Sequence, residues 1–350
     1  MNRIGWSYII VLLCGLLLAG ALIAGEVSSD NSLARYPSPA AMFQEIHDLA
    51  AAHPDRVQVT EYGKSVEGRP LLVMFIHRPG DKTKPAAFVG GNIHGNEWIG
   101  NRMAMAMARL LVEADGQDPL VTQALAALDF YIAPSLNPDG YAHTAEFPHP
   151  ENLPELGKNR KNARGVDLNR NFPLPGKRLI PIAAAGSPKP ESVNYRGPEP
   201  LSEPETKFLD LFFQAHPEIV AAISWHAYAS VMYPAHCPSR ECIQRFKKMC
   251  RAFKTVQPSV KYPRMQSRWL DTYTGEMEDW LYAQYGIMAA DIEIGNSKAN
   301  KKACNCKDYF WLYNPKNPDY WIENDAKAGL SALLEADRVL GGKPVPKVSR

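Results

Sequence analysis

His94-Gly95-Asn96-Glu97 sets an imidazole and a carboxylate three residues apart across a glycine turn, a spacing at which both can hold one cation. The pair recurs by chance, and a histidine and glutamate that only cap a helix would read the same way. A second imidazole changes its meaning. His226 ends the apolar run Ile219 to Trp225 and is followed by Ala227 and Tyr228; its plain alternative is a hydrogen-bonded histidine at a core edge. Two imidazoles and one carboxylate suit zinc, with a fourth position left for water. His53, His77, His216 and His236 lack this placement beside an acidic partner and a strand end. Glu293 lies in the apolar run Ile287 to Ile294, where a lone carboxylate is costly. It either pairs with an arginine or does proton chemistry.

These residues need strand ends to bring them together. Ser38 to His53 reads as a helix, and Val57 to Tyr62 and Leu71 to His77 read as strands parted by the turn Glu67-Gly68-Arg69-Pro70. A strand over Ala86 to Ile93, a helix over Trp98 to Ala114 and a strand over Phe130 to Pro134 follow. Ser202 with Glu205 three residues on has the form of a capping box, opening a helix before the strand Ile219 to His226. Helices near Ser239 to Thr255 and Glu276 to Tyr285, the strand Ile287 to Ile294 and a closing helix Asn324 to Val339 complete the pattern. Alternating helices and continuously apolar strands predict an α/β fold: a single domain with a mixed, mainly parallel central sheet flanked by helices. Phe147 to Arg160 and Pro173 to Pro200 are loops too long to be mere connectors.

The chain has 350 residues, 45% hydrophobic and 22% charged, which suits one large domain. A net charge of +2 without a long basic run argues against nucleic-acid binding and against electrostatic attachment to a membrane surface. Arg3 and the apolar run Ile4 to Gly25 form an export signal over residues 1–25, with small residues at Ala19, Ala21, Ala24 and Gly25 for cleavage. The run exceeds the usual core of roughly 7 to 15 residues, so an uncleaved signal anchor is the alternative. Either implies a periplasmic or extracellular protein, with the anchor as its sole membrane contact. Cys14 within the run reads as a passive apolar residue. Five cysteines remain, Cys237, Cys242, Cys250, Cys304 and Cys306, most simply two disulfides and a thiol with the pairing open. The one-residue gap between Cys304 and Cys306 ranks a structural zinc site below disulfides.

Seven segments in order resemble the zinc metallocarboxypeptidases related to carboxypeptidases A, B and E. They are Gly63 to Pro70, His94 to Trp98, Asn137 to Tyr141, Gly165 to Phe172, Ser202 to Thr206, Trp225 to Tyr228 and Asp291 to Glu293. The likeness covers Tyr36 to about Leu340, giving a catalytic domain over 36–340 and a tail over 341–350. A domain starting there leaves no room for a folded pro-segment, and one ending there lacks an accessory β-domain.

The resemblance implies one Zn2+ held by His94, Glu97 and His226, with Asp167 behind His94 to orient it. It implies Glu293 as general base and proton shuttle, and Arg160 as the cation facing the developing oxyanion. Asn169 and Arg170 resemble the amide and guanidinium that grip a substrate's terminal carboxylate. The family's mobile tyrosine matches imperfectly: direct counting falls on Asp271, and Tyr273 aligns only across a small gap. Tyr228 is a further pocket residue. Glu278 sits where the family places the base of its side-chain pocket, and Asp291, two residues before Glu293 on a strand, shares its face. Two acids there imply a preference for C-terminal Lys or Arg.

The expected partners are therefore peptide or protein C-termini. Trimming of cell-wall peptides and deacylation of small molecules are the rival hydrolase readings, since the acidic pocket would also take a diamino acid. A non-catalytic binding module is disfavoured by retention of the ligand set and Glu293.

Overall fold

The computed structural model describes residues 31–80, 84–146, 157, 159–173, 186–237, 239–265, 274–296 and 309–345. The chain divides between Ala34 and Arg35, and every element named below lies in the main unit that runs from Arg35. The expected signal segment, Tyr273, Cys304, Cys306, most of the first long loop and residues 174–185 of the second lie outside the described residues. Among the described residues, no helix is long and apolar enough to cross a membrane.

Helix α1 (Pro39–Ala52) starts where Ser38 Oγ accepts the Ala41 amide and Pro39 presets the first turn. Its Met42, Ile46 and Leu49 are buried at helical spacing. Strands β1 (Val57–Lys64) and β2 (Pro70–Ile76) pair antiparallel. Next come β3 (Ala86–Gly91), α2 (Trp98–Glu113), α3 (Pro119–Ala127), β4 (Asp129–Ala133) and α4 (Pro138–Ala145). The second half carries α5 (Pro204–Ala215), β5 (Ile219–Ala227), β6 (Val231–Pro234), α6 (Arg240–Val256), α7 (Met277–Tyr285), β7 (Met288–Ile294), α8 (Tyr309–Tyr313) and α9 (Pro318–Leu340).

Seven strands form one sheet in the order β1-β2-β4-β3-β5-β7-β6. The centre, β4-β3-β5-β7, is parallel, while β1, β2 and β6 pair antiparallel at the two edges. The expected mixed, mainly parallel sheet flanked by helices is what forms. On one face Phe88 and Ala222 pack with Phe212 and Phe213 of α5 and Trp280 of α7. Helices α2, α6 and α9 contact one another or β5 elsewhere in the unit.

Three local expectations change. The helix expected from Ser202 begins at Pro204: proline takes the first helical position, and Glu203 caps it without a side-chain bond. Ser202 Oγ instead accepts from Asn171 Nδ2 and donates to Glu203 Oε1. The closing helix starts at Pro318, six residues before the expected Asn324, because proline again takes the first helical position. Helices α3, α4 and α8 and strand β6, which periodicity did not single out, are short elements with proline starts or few residues. Cys237 and Cys242 form a disulfide, and Cys250 is a buried thiol.

Candidate metal centre and active site

The ligand turn leaves β3 through Asn92, whose φ of 55° is a left-handed conformation that asparagine tolerates. Its Nδ2 donates to the carbonyls of His94 at 2.9 Å and Gly95 at 3.3 Å, and Ser135 Oγ donates to its Oδ1 at 2.8 Å. Gly95 is required by close approach: a Cβ there would lie 2.3 Å from the Gly140 carbonyl carbon. The Gly95 amide donates to the Arg160 carbonyl at 3.0 Å, tying the turn to the loop that carries Arg160. Glu97 then caps α2.

Strands β5 and β7 supply the opposite wall. Their register pairs Ala222 with Ala289, Ser224 with Asp291 and His226 with Glu293. Alternate residues share a face, so one column runs from the apolar core at its lower end into polar groups at the strands' carboxyl ends. Parallel strands expose their carboxyl ends as crevices, and the ligand turn after β3 opens at that same end.

Three groups converge there. His94 Nδ1 lies 2.9 Å from Glu97 Oε1, His226 Nδ1 lies 3.3 Å from Glu97 Oε2, and the two Nδ1 atoms are 3.1 Å apart. All three residues are buried. Each imidazole turns its other nitrogen to a carboxylate: His94 Nε2 is 3.3 Å from Asp167 Oδ1, and His226 Nε2 is 3.1 Å from Asp291 Oδ2. That placement turns both Nδ1 atoms toward the Glu97 carboxylate, where each can offer a lone pair to a cation. This donor set, two nitrogens and a carboxylate within reach of one point, fits zinc.

The surrounding charges polarise the site. Burial would raise the Glu97 carboxyl, yet His94 and His226 hold it far below the ordinary range. Burial likewise opposes ionisation of Asp167, and Arg160, then Arg170 and His94, hold it well below normal. Arg160 Nε donates to Asp167 Oδ2 at 2.9 Å while Nη1 stands 3.6 Å from Glu97 Oε1. Desolvation disfavours that guanidinium's charge, but Asp167 and Glu97 keep it protonated. Glu293 is partly exposed, and desolvation followed by Glu97 pushes its carboxyl up to about 7. A cation among the ligands would draw it down again.

A cavity of about 400 Å³ opens on these groups. His94, His226, Arg160, Asn169, Arg170, Tyr228, Asp291 and Glu293 line it. Asn169 is fixed at both ends: its Nδ2 donates to Asp291 Oδ2 at 2.9 Å and its Oδ1 accepts the Met277 amide at 2.9 Å. Glu278 departs from expectation. It is 3% exposed and lies against Asp291 rather than on the cavity wall. Among the wall residues that sequence reasoning missed are Glu276 and Tyr313. Glu276 precedes the helix that carries Glu278 and was readable as a third acid of that group. Tyr313 stacks edge-on against Tyr228, with ring centroids 5.0 Å apart, and nothing local in its sequence marks it.

The zinc carboxypeptidase family model matches residues 42–324. Carboxypeptidase A6 of Mus musculus is 31% identical over 248 residues, 68% of this chain and 55% of that protein. Carboxypeptidase A2 of Rattus norvegicus is 32% identical over 198 residues, 55% of this chain and 45% of that protein. The matches thus span about half the length of these relatives. Among solved structures, carboxypeptidase A from Helicoverpa armigera superposes with a TM-score of 0.64 at 23% identity, covering 94% of this chain and 79% of that one. Bovine thrombin-activatable fibrinolysis inhibitor, in complex with tick carboxypeptidase inhibitor, gives 0.66 at 23% identity over 87% and 98%. These two likenesses speak for the fold. With the ligand set and sheet described above, and a family match over most of its length, this chain belongs to the zinc carboxypeptidase family.

Proposed function

We propose that this chain is a zinc-dependent metallocarboxypeptidase that hydrolyses the C-terminal peptide bond of peptides. The observation that carries the reading is the buried His94, Glu97 and His226 set with Glu293 paired to His226 in the strand register. Zinc bound to that set supplies Lewis-acid polarisation and a lowered pKa for water at its open position. Glu293 takes a proton from the water that adds to the scissile carbonyl and delivers it to the departing nitrogen as the C–N bond breaks. Arg160, kept charged by its acidic neighbours, faces the oxygen on which negative charge develops. Asp167 and Asp291 hold the two imidazoles in the tautomer that presents Nδ1.

Arg170 with Asn169 receives the free terminal carboxylate, which makes the enzyme an exopeptidase, and Tyr228 packs beside the bound terminus. Tyr273 is the proposed closing phenol. Asp291 on the wall with Glu278 behind it supports a preference for C-terminal Lys or Arg. The apolar segment over residues 1–25 supports export, cleaved or as an anchor.

Mass spectrometry of a peptide set ending in Lys, Arg, Leu, Phe, Glu and diaminopimelate tests the reading with zinc-loaded native protein and Glu293→Gln. Loss of single C-terminal residues by the native protein only is expected, fastest for Lys and Arg. No cleavage of any peptide would overturn it, and faster loss of Leu or Phe would overturn the preference.

A further inference from the structure

Arg160, Asp167, Asn169 and Arg170 come from one stretch with little regular structure, and such chain holds a site only where something fixes it. Two buried asparagines do so here. Asn162 lies two residues after Arg160. Its backbone amide donates to the Val166 carbonyl at 2.9 Å and its Oδ1 accepts the Val166 amide at 3.0 Å, closing a tight loop between Arg160 and Asp167. Asn171 follows Arg170. Its backbone amide donates to the Leu168 carbonyl at 3.1 Å and closes the short turn that carries Asn169 and Arg170.

Both asparagines are fastened to the start of α5. Asn162 Nδ2 donates to Glu203 Oε2 at 2.7 Å and to Glu205 Oε2 at 3.1 Å. Asn171 Oδ1 accepts from Thr206 Oγ1 at 2.6 Å and from the Glu203 amide at 3.3 Å, while its Nδ2 donates to Ser202 Oγ at 3.0 Å. A side-chain amide supplies donors and an acceptor together, and each asparagine uses both kinds. Glu203, Glu205 and Thr206 are buried as well. Among the described residues that form the cavity wall, none of these anchoring side chains appears, so what they do for the site passes through the chain that bears Arg160 and Arg170.

We propose that the start of α5 is a positioning device for the two arginines of the site. Through Asn162 it sets Arg160, which acts on charge that develops only in the transition state. Through Asn171 it sets Arg170, which holds the terminal carboxylate from binding onward. Loosening one anchor therefore has a different kinetic signature from loosening the other. The inference rests on the carboxypeptidase reading through the roles of the two arginines.

Steady-state kinetics of the zinc-loaded full chain on peptides ending in Arg and Leu tests it, using native protein, Asn162→Ser and Asn171→Ser. Calorimetric titration with free L-arginine and L-leucine runs in parallel. Asn162→Ser should lower kcat roughly tenfold to a hundredfold, the scale of a small misplacement, at near-native KM and amino-acid affinity. Asn171→Ser should raise KM and weaken both amino acids by a similar factor. Glu205→Gln and Thr206→Val are milder cuts in the two anchors and should give the same two signatures at smaller size. In an Arg160→Gln background, Asn162→Ser should change kcat little further. Equal effects of the two asparagine substitutions on kcat and KM, or an undiminished effect of Asn162→Ser without Arg160, would overturn the device and leave the start of α5 as scaffold. A native chain that cleaves neither peptide refutes the hydrolase reading instead. Amino-acid binding weakened by Asn171→Ser but not by Asn162→Ser would then still support the anchoring of Arg170, and equal binding by both would overturn it.

Discussion

Asp167 and Glu293 are both carboxylates at the edge of the same imidazole pair, and their neighbours drive them in opposite directions. Asp167 sits between Arg160 and His94 and stays ionised, which suits a group that orients a ligand. Glu293 meets the Glu97 carboxylate with weaker cationic help, so it holds a proton more readily, as the proposed shuttle role requires. Glu293→Gln should therefore lower kcat by roughly 10²- to 10⁴-fold at unchanged zinc content, measured by metal analysis beside peptide hydrolysis. Asp167→Asn should weaken zinc by about 10- to 100-fold, read by competition with a chelating dye. Equal zinc affinity in that variant would remove Asp167 from the site. His94, Glu97 and His226 could be named from residue type and strand-end position. Glu276 was readable as an acid beside Glu278, but its contact with Arg170, across 106 positions of chain, was not.

At the scale of elements, the sequence pattern marks what is long and apolar and misses what is set by a partner. Strands β3, β5 and β7 read clearly because every residue of β3 and β5, and nearly every one of β7, is buried. The start of α5 did not, since Ser202 bonds Asn171 and Glu203, and Glu205 bonds distant groups, rather than each other. Glu205 Oε1 accepts the Val66 amide at 3.2 Å and Oε2 accepts Asn162 Nδ2 at 3.1 Å, so the first turn of α5 fastens two loops. Burial pushes its carboxyl up to about 7, despite those bonds. An acid whose folded pKa lies above its unfolded value of about 4.3 binds more protons when folded, so its contribution to stability falls as pH rises between the two. Glu205→Gln gives up a titrating group and keeps one acceptor. Its Tm relative to the native protein should move in the variant's favour from pH 5 to pH 8, by scanning calorimetry at several pH values. A pH-independent difference would show that Glu205 ionises normally.

For the whole molecule, alternation of helix and strand was enough for the fold class, and the parallel centre follows from strands apolar on both faces. The antiparallel β6 edge was not readable, because β6 has four residues and its pairing with β7 depends on the turn after β5. What the sheet achieves is convergence: β3, β5 and β7 are consecutive in the sheet, so their carboxyl ends bring His94 and Glu97, His226 and Glu293 to one place. That convergence has a cost for stability. It buries a carboxylate between two closely spaced imidazoles, an arrangement whose charges are best balanced in the folded state by a bound cation. Zinc that binds only the folded chain should stabilise it by about 4 kcal/mol at a free concentration 1,000-fold above Kd. For a domain of this size, chelation should then lower Tm on the order of 10 °C, and added zinc should restore it. His94→Ala should have a low Tm that neither chelator nor zinc moves. A native protein equally indifferent to chelation would mean that these three residues hold no structural metal, and the site would have to be explained without one.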